Sequence, residues 1–137
     1  MSYKYEDLIA WQKAKAFATE IYRATECFPK TEIYGLTSQL RRAAVSVPSN
    51  IAEGQGRLTK GEFCHFLGQA RGSLLEVETQ LSIALDLNLL SETEFETLRA
   101  KSLEVRKILN GLIDAMMKGK AGGAVTRNSK PDTRNRC

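Results

Sequence analysis

Residues 59–86 read TKGEFCHFLGQARGSLLEVETQLSIALD, and they carry the clearest helical pattern of the chain. Its apolar residues recur at alternating steps of four and three: Phe63, Leu67, Ala70, Leu74, Val77, Leu81 and Ala84. A sustained repeat of about 3.5 residues predicts an amphipathic helix that packs nearly parallel to its neighbours. Thr59 and Glu62 have the spacing of a capping box, which predicts that the helix begins here.

Three further segments carry a helical period. The apolar pattern predicts helices over about residues 6–28, 31–53 and 91–116, with Ile33 opening the apolar stripe of the second and the last ending before Gly119. Pro48 lacks a backbone donor, which predicts a kink or a restart inside the second helix. No strand pattern competes, and the short connections predict an all-α, up-down-up-down antiparallel four-helix bundle.

The chain has 137 residues, which fits one domain. We expect residues 1–117 to form the bundle and residues 118–137 to form a disordered basic tail. No apolar run approaches the ~18 residues of a membrane span, and charged residues interrupt the N-terminal region too often for a signal peptide. The expected location is therefore the cytoplasm, with no membrane association.

The net charge of +4 is unevenly distributed. Residues 1–117 carry 14 Lys and Arg against 15 Asp and Glu, whereas residues 118–137 carry 6 basic residues against Asp132 alone. A basic tail of this kind indicates either an anionic partner such as nucleic acid or a solvated terminus without a partner.

Several apolar residues lie beside the main stripes of the last two helices. They are Leu75, Ile83, Leu103, Ile108, Ile113 and Met117. This surplus indicates either burial between subunits of an oligomer or a wide core stripe in a monomer. Gly68 and Gly72 lower helix stability, which predicts that another backbone approaches them closely. That backbone belongs to a neighbouring helix, to a second subunit or to a ligand.

Polar residues share one face of the second helix. Arg42, Ser46, Ser49, Asn50 and Glu53 recur at steps of three and four residues. The stripe is interpreted either as a hydrogen-bonded network that satisfies the backbone opened by Pro48 or as a binding surface.

A basic patch is predicted near the turn between the second and third helices. Its candidate nucleic-acid-binding residues are Arg41, Arg42, Arg57, Lys60 and Arg71. Arginine side chains in such a patch are suited to grip phosphate groups.

Catalytic and metal-binding motifs are absent from the sequence. Glu62 and His65 have the Glu-x-x-His spacing of a di-iron site, but such a site needs two motifs and the chain has one histidine. There is no phosphate-binding glycine loop and no Gly-x-Ser-x-Gly motif. No enzyme activity, cofactor or metal is expected.

Several motifs together carry a family resemblance over about residues 3–117. They are YEDL at 5–8, WQKA at 11–14, EIYGL at 32–36, QLRRAA at 39–44, SVPSNIAEG at 46–54, ARGSL at 70–74 and EVETQL at 76–81. In these motifs the chain resembles the four-helix bundle proteins encoded in intervening sequences of bacterial 23S ribosomal RNA genes.

The resemblance implies a homopentamer of bundles, and it carries over no catalytic residues to this chain. A related protein is the accessory variability determinant of diversity-generating retroelements, which binds a reverse transcriptase and its RNA through a positively charged surface. The matching motifs imply Arg41, Arg42 and Arg71 as the positions of such a surface in this chain. Arg57, Lys60 and the tail are added as candidates from the charge pattern alone.

Two functions follow from these observations. The first is a non-enzymatic oligomeric protein that associates with structured RNA or an RNA–protein complex through phosphate contacts. The alternative is a protein–protein interaction scaffold with no direct nucleic-acid contact.

Overall fold

Four α-helices build the fold. The computed structural model describes residues 4–121. The helices are α1 (Ile9–Thr25), α2 (Leu36–Gln55), α3 (Lys60–Asp86) and α4 (Glu92–Ala121), with short 3₁₀ turns at Tyr5–Asp7 and Lys30–Glu32. No strand occurs between residues 4 and 121. Each helix contacts the next along the chain and α4 contacts α1, so the predicted all-α four-helix bundle is confirmed.

The repeat in residues 59–86 builds the centre of the core. Six of its seven apolar positions are buried, and Phe63 is partly buried against them. The other helices contribute the fully buried side chains Phe17, Ile21, Leu40, Val47, Ile51, Val105, Leu109 and Ile113. Burying large aliphatic and aromatic side chains contributes about 1.5–3 kcal/mol each, so this shared core is the main source of stability.

The helix starts predicted at Thr59 and Ser91 are capped, α4 by both bonds of a capping box and α3 by one of them. The Thr59 hydroxyl accepts a hydrogen bond from the Glu62 backbone N–H at 3.1 Å. At the start of α4, the Glu94 N–H donates to the Ser91 hydroxyl at 3.1 Å, and the Ser91 N–H donates to the Glu94 carboxylate at 2.9 Å. These bonds satisfy N–H groups that have no partner inside the helix.

The ends of the first two helices differ from the prediction. Residues 5–7 form a separate 3₁₀ turn, and α1 ends at Thr25 rather than at residue 28. The second helix begins at Leu36, not at residue 31, because the Glu32 carboxylate accepts the Leu36 N–H at 3.1 Å and so caps the helix there. Ile33 therefore lies outside the helix and is 51% exposed instead of opening the core stripe.

The predicted restart at Pro48 does not occur. The second helix, α2, runs through Pro48 from Leu36 to Gln55. Side chains of the predicted polar stripe bond to nearby backbone carbonyls: Ser46 Oγ donates to the Ala43 carbonyl at 3.0 Å, and Asn50 Nδ2 donates to the Ser46 carbonyl at 2.8 Å. The stripe is thus in part a local hydrogen-bonded network.

The last helix is longer than predicted. It continues through Gly119 to Ala121 and so passes the expected bundle boundary at residue 117. Residues 122–137, which make up most of the predicted tail, lie outside the described residues.

A glycine on α2 takes the close-packing role that the sequence suggested for Gly68 and Gly72. A Cβ atom on Gly54 would lie 2.7 Å from Phe66 Cβ and 3.3 Å from the Phe63 carbonyl oxygen. A Cβ atom on Gly68 or Gly72 would meet nothing within 4 Å. The prediction that a neighbouring helix of the same chain approaches these two glycines is therefore wrong.

The close contact at Gly54 predicts that Gly54→Ala lowers the free energy of unfolding by about 1–3 kcal/mol, because the backbones of α2 and α3 would have to separate. Urea denaturation followed by circular dichroism measures the change. The control is Gly111→Ala on α4, where a Cβ atom meets nothing within 4 Å and which should be neutral or stabilising by up to ~1 kcal/mol. Equal stabilities of the two variants would contradict this packing.

Candidate nucleic-acid interface

The five predicted basic residues do not form one patch. Arg41 and Arg42 lie in the first part of α2, whereas Arg57 lies in the turn after it and Lys60 begins α3. Thirteen residues of helix between Arg42 and Gln55 correspond to roughly 20 Å. Arg71 lies in the middle of α3. The structure brings Arg57 and Lys60 to the α2–α3 turn and leaves the other three elsewhere, which corrects the prediction.

Arg41 connects two helices. Its Nε donates to Thr25 Oγ1 at 2.8 Å, and its Nη2 donates to the Tyr22 carbonyl at 3.2 Å. The guanidinium carbon also lies 4.6 Å from the centre of the Tyr22 ring. The Thr25 hydroxyl donates in turn to the Ile21 carbonyl at 2.8 Å. These contacts hold the end of α1 against α2.

Arg57 and Arg71 also have partners within the chain. Arg57 pairs with Glu53 at 2.9 Å and lies 4.7 Å from the centre of the Phe66 ring. Arg71 Nη1 donates to Asn110 Oδ1 at 2.7 Å, which connects α3 to α4. Arg57 is therefore charge-compensated, and Arg71 spans the α3–α4 contact.

Arg42 and Lys60 are different, because both side chains are exposed. Neither makes an ion pair or a side-chain hydrogen bond with residues 4–121. Of the five predicted residues, these two have positive charges that no contact inside the bundle offsets.

A second set of basic and aromatic residues was not predicted as a site. Tyr5 and Trp11 pack edge to face with ring centres 5.1 Å apart, and Lys15 Nζ lies 5.3 Å from the Trp11 ring centre. Farther along α1, the Tyr22 ring is covered in the same way by Arg41, which reaches it from α2. We call Tyr5, Trp11, Lys15, Tyr22 and Arg41 the α1 flank. The spacing of Trp11 and Lys15, four residues apart, was the available sequence signal.

The outward surface of α2 and α3 combines exposed apolar side chains with glycine. Val45 is 41% exposed and Leu75 and Ile83 are each 44% exposed. Gly68 and Gly72 precede Leu75 on the same face of α3, at steps of three and four residues. We call these five residues the outer face. Of the other apolar residues that lie beside the stripes, Ile113 is buried in the core, Leu103 and Ile108 are partly buried, and Met117 is 40% exposed.

On the opposite side of the bundle, ion pairs connect the exposed surfaces of α1 and α4. Lys13 pairs with Glu104 at 3.2 Å, and Lys101 pairs with Glu20 at 3.5 Å. These side chains are about half exposed, so each pair contributes only about 0.2–1 kcal/mol. Their main effect is to keep the α1–α4 surface polar.

No metal site forms in the described part of the chain, because residues 4–121 contain no group of three or more His, Cys, Asp or Glu placed to hold an ion. His65 lies instead 3.2 Å from the Gln69 amide nitrogen and packs edge to face on Phe66. Among the helices described here, none is long and apolar enough to cross a membrane.

Comparison with known proteins identifies the family. Residues 6–111 match the family model described as "23S rRNA-intervening sequence protein". The chain belongs to this family. The match covers all five predicted basic residues, the α1 flank from Trp11 onward and the outer face, whereas the basic tail lies beyond it.

A solved structure supports the fold of this intervening-sequence protein. It is similar to a crystal structure, at 1.70 Å resolution, of a protein of unknown function from the S23 ribosomal protein family of Bacteroides thetaiotaomicron. The TM-score is 0.72 at 20% sequence identity, over 77% of this chain and 96% of the other. A search of curated proteins finds no significant match.

The contacts of Arg41 predict a stability difference between adjacent arginines. Arg41→Ala should lower the free energy of unfolding by about 1–3 kcal/mol, because it removes two hydrogen bonds and leaves their acceptors without this partner. Arg42→Ala, at an exposed position without such contacts, should change it by less than about 0.5 kcal/mol. Thermal denaturation compares the two variants, and an equal effect would rule out a structural role for Arg41.

Proposed function

We propose that the chain is a non-enzymatic, homo-oligomeric protein that associates with RNA or with an RNA–protein complex. The observation that carries the proposal is the separation of charge along the chain. Residues 1–117 have a net charge of −1, and residues 118–137 have a net charge of +5. Arg42 and Lys60 add exposed positive charge on the bundle itself. Membership of the family supports RNA as the partner, since the members of the family are named for intervening sequences of 23S rRNA.

The proposed mechanism is electrostatic. Lysine and arginine side chains that reach phosphates release condensed counterions, which makes binding favourable and strongly dependent on salt. Such contacts position the protein on the RNA without reading its sequence. In an oligomer the same weak contact is repeated, so a structured RNA that spans several subunits is bound more tightly than by one subunit.

The outer face supports the oligomeric part of the proposal. Its apolar side chains are more than 40% exposed in the single chain, and its glycines have space for the backbone of another subunit. Apolar surface of this kind is stabilised when a second copy covers it. The family resemblance favours five copies.

A scaffold function is the second candidate. It is favoured by the engagement of Arg41, Arg57 and Arg71 within the bundle, because these three side chains already have partners. In this alternative the exposed surfaces bind proteins, and no nucleic acid contacts the chain.

The role of the basic tail is tested by replacing Arg127, Lys130, Arg134 and Arg136 with glutamine. Fluorescence anisotropy of a structured RNA over a salt series should show weaker binding. The slope of log K against log salt concentration should become shallower by up to about 3, since each lost phosphate contact removes about 0.7 from it. The control keeps the charge by replacing the three arginines with lysine. Binding that is unchanged in the glutamine variant would exclude the tail, and no binding by the wild type would favour the scaffold.

The outer face is tested by the double variant Leu75→Glu with Ile83→Glu. Burying two carboxylates between subunits is costly, so light scattering after gel filtration should show the oligomer replaced by monomer, with helical circular dichroism retained. Leu58→Glu, in the α2–α3 turn where Leu58 is 97% exposed, should leave the oligomer intact. An oligomer that survives the double variant would place the subunit contact elsewhere.

A further inference from the structure

We propose that the α1 flank holds a single-stranded segment of RNA by stacking bases on its aromatic rings. This inference rests on the proposed function and adds the type of RNA and the surface that contacts it. The observation behind it is the alternation of rings and cations: Tyr5 against Trp11, Lys15 over Trp11, and Arg41 over Tyr22.

The three flank residues that belong to α1 lie on one side of the helix. Trp11 and Lys15 are one turn apart, and Tyr22 follows seven residues after Lys15, or about two turns. Tyr22 is 43% exposed and Tyr5 is 37% exposed, while Trp11 is partly buried and Lys15 is exposed. Trp11 and Tyr22 are separated by roughly 16 Å along the helix axis. This length allows several stacked bases.

Negative charge is scarce along the flank. Between Asp7 and Glu26 the chain has a single carboxylate, Glu20, and that side chain lies within 4.0 Å of Lys101 and Arg23. On α2 the one acidic residue is Glu53, which pairs with Arg57. Glu6, Asp7 and Glu26 lie at the ends of the flank. A polyanion along α1 therefore meets little repulsion between these ends.

Arg41 is positioned to contact the RNA backbone without moving. An arginine has five N–H donors, and two of them bind Thr25 and the Tyr22 carbonyl. These bonds fix the plane of the guanidinium over the Tyr22 ring, so little side-chain entropy is lost when the remaining donors meet a phosphate. Lys15 supplies a second cation above Trp11.

The chemistry favours single-stranded RNA over a duplex. Aromatic side chains stack on unpaired bases, and each such contact is worth about 1–3 kcal/mol. In an A-form duplex the bases are stacked on each other and are not available to side chains. A surface of cations alone would bind both forms through phosphates. The rings of Tyr5, Trp11 and Tyr22 therefore make the α1 flank prefer single-stranded RNA to a duplex.

The test uses Trp11, the one tryptophan of the chain, as a reporter in the full-length protein. An oligouridylate of about twelve nucleotides, within the usual site size of single-strand-binding domains, should change the Trp11 fluorescence as it binds. Tyr22→Leu should weaken binding about fivefold to hundredfold, which corresponds to the loss of one stacked base. Lys15→Gln should make the slope of log K against log salt concentration shallower by about 0.7, because one phosphate contact is lost.

Two matched controls keep the test specific to the flank. Tyr34→Leu removes a tyrosine that is 95% exposed in the turn before α2, and Lys107→Gln removes an exposed lysine on α4. Each should leave binding closer to the wild type than its counterpart on the flank. The melting temperature of Tyr22→Leu should match that of the wild type within a few degrees, so that lost binding is not lost folding.

The inference fails if Tyr22→Leu binds oligouridylate as tightly as Tyr34→Leu does. It also fails if a duplex of equal length binds as tightly as the single strand, or if anisotropy shows binding while Trp11 fluorescence stays constant. In each of these cases RNA is still bound and the proposed function stands. If the wild type binds no RNA at all, the proposed function fails as well.

Discussion

The packing of α2 against α3 is the contact on which the rest of the structure depends. At one end, Gly54 has no side chain, and the backbone there lies against Phe63 and Phe66. In the middle, the Ser46 and Ser73 hydroxyls form a hydrogen bond with each other. Near the other end, Gln80 Nε2 donates to Gln39 Oε1 at 3.3 Å. These three contacts fix an antiparallel register, because a shift of one turn would place a residue with a side chain, instead of Gly54, against Phe63 and Phe66 and would separate the polar pairs.

With the register fixed, the remaining surfaces follow from it. Core side chains point between the helices, Arg71 and Glu78 on α3 reach Asn110 and Arg106 on α4, and Arg41 reaches back to α1. The α3 part of the outer face then points away from the α1–α4 surface with its ion pairs. The proposed subunit contact lies mainly on α3 and the proposed RNA contact mainly on α1. The two surfaces come closest on α2, where Val45 follows Arg41 by one helical turn.

The sequence predicted those features whose causes are local. The repeat of residues 59–86 and the N-terminal caps of α3 and α4 involve partners three or four residues apart, and the structure confirms them. Features that depend on distant partners were missed. Spacing alone does not show that Arg41 bonds to Thr25 or that Gly54, rather than Gly68, lies against another helix. Likewise, the α1 flank was not predicted as a site, because Arg41 comes to lie over Tyr22 only when α2 packs against α1.

Hydroxyl-radical footprinting of the full-length protein, with and without RNA, tests the assignment of the two surfaces most directly. Leu75 and Ile83 should be protected from oxidation in the free oligomer, whereas Leu58 and Tyr34 should react readily. Trp11 and Tyr22 should react in the free protein and become protected when oligouridylate binds. Reactive Leu75 and Ile83 in the free protein, or RNA protection confined to α3 and α4, would contradict this assignment.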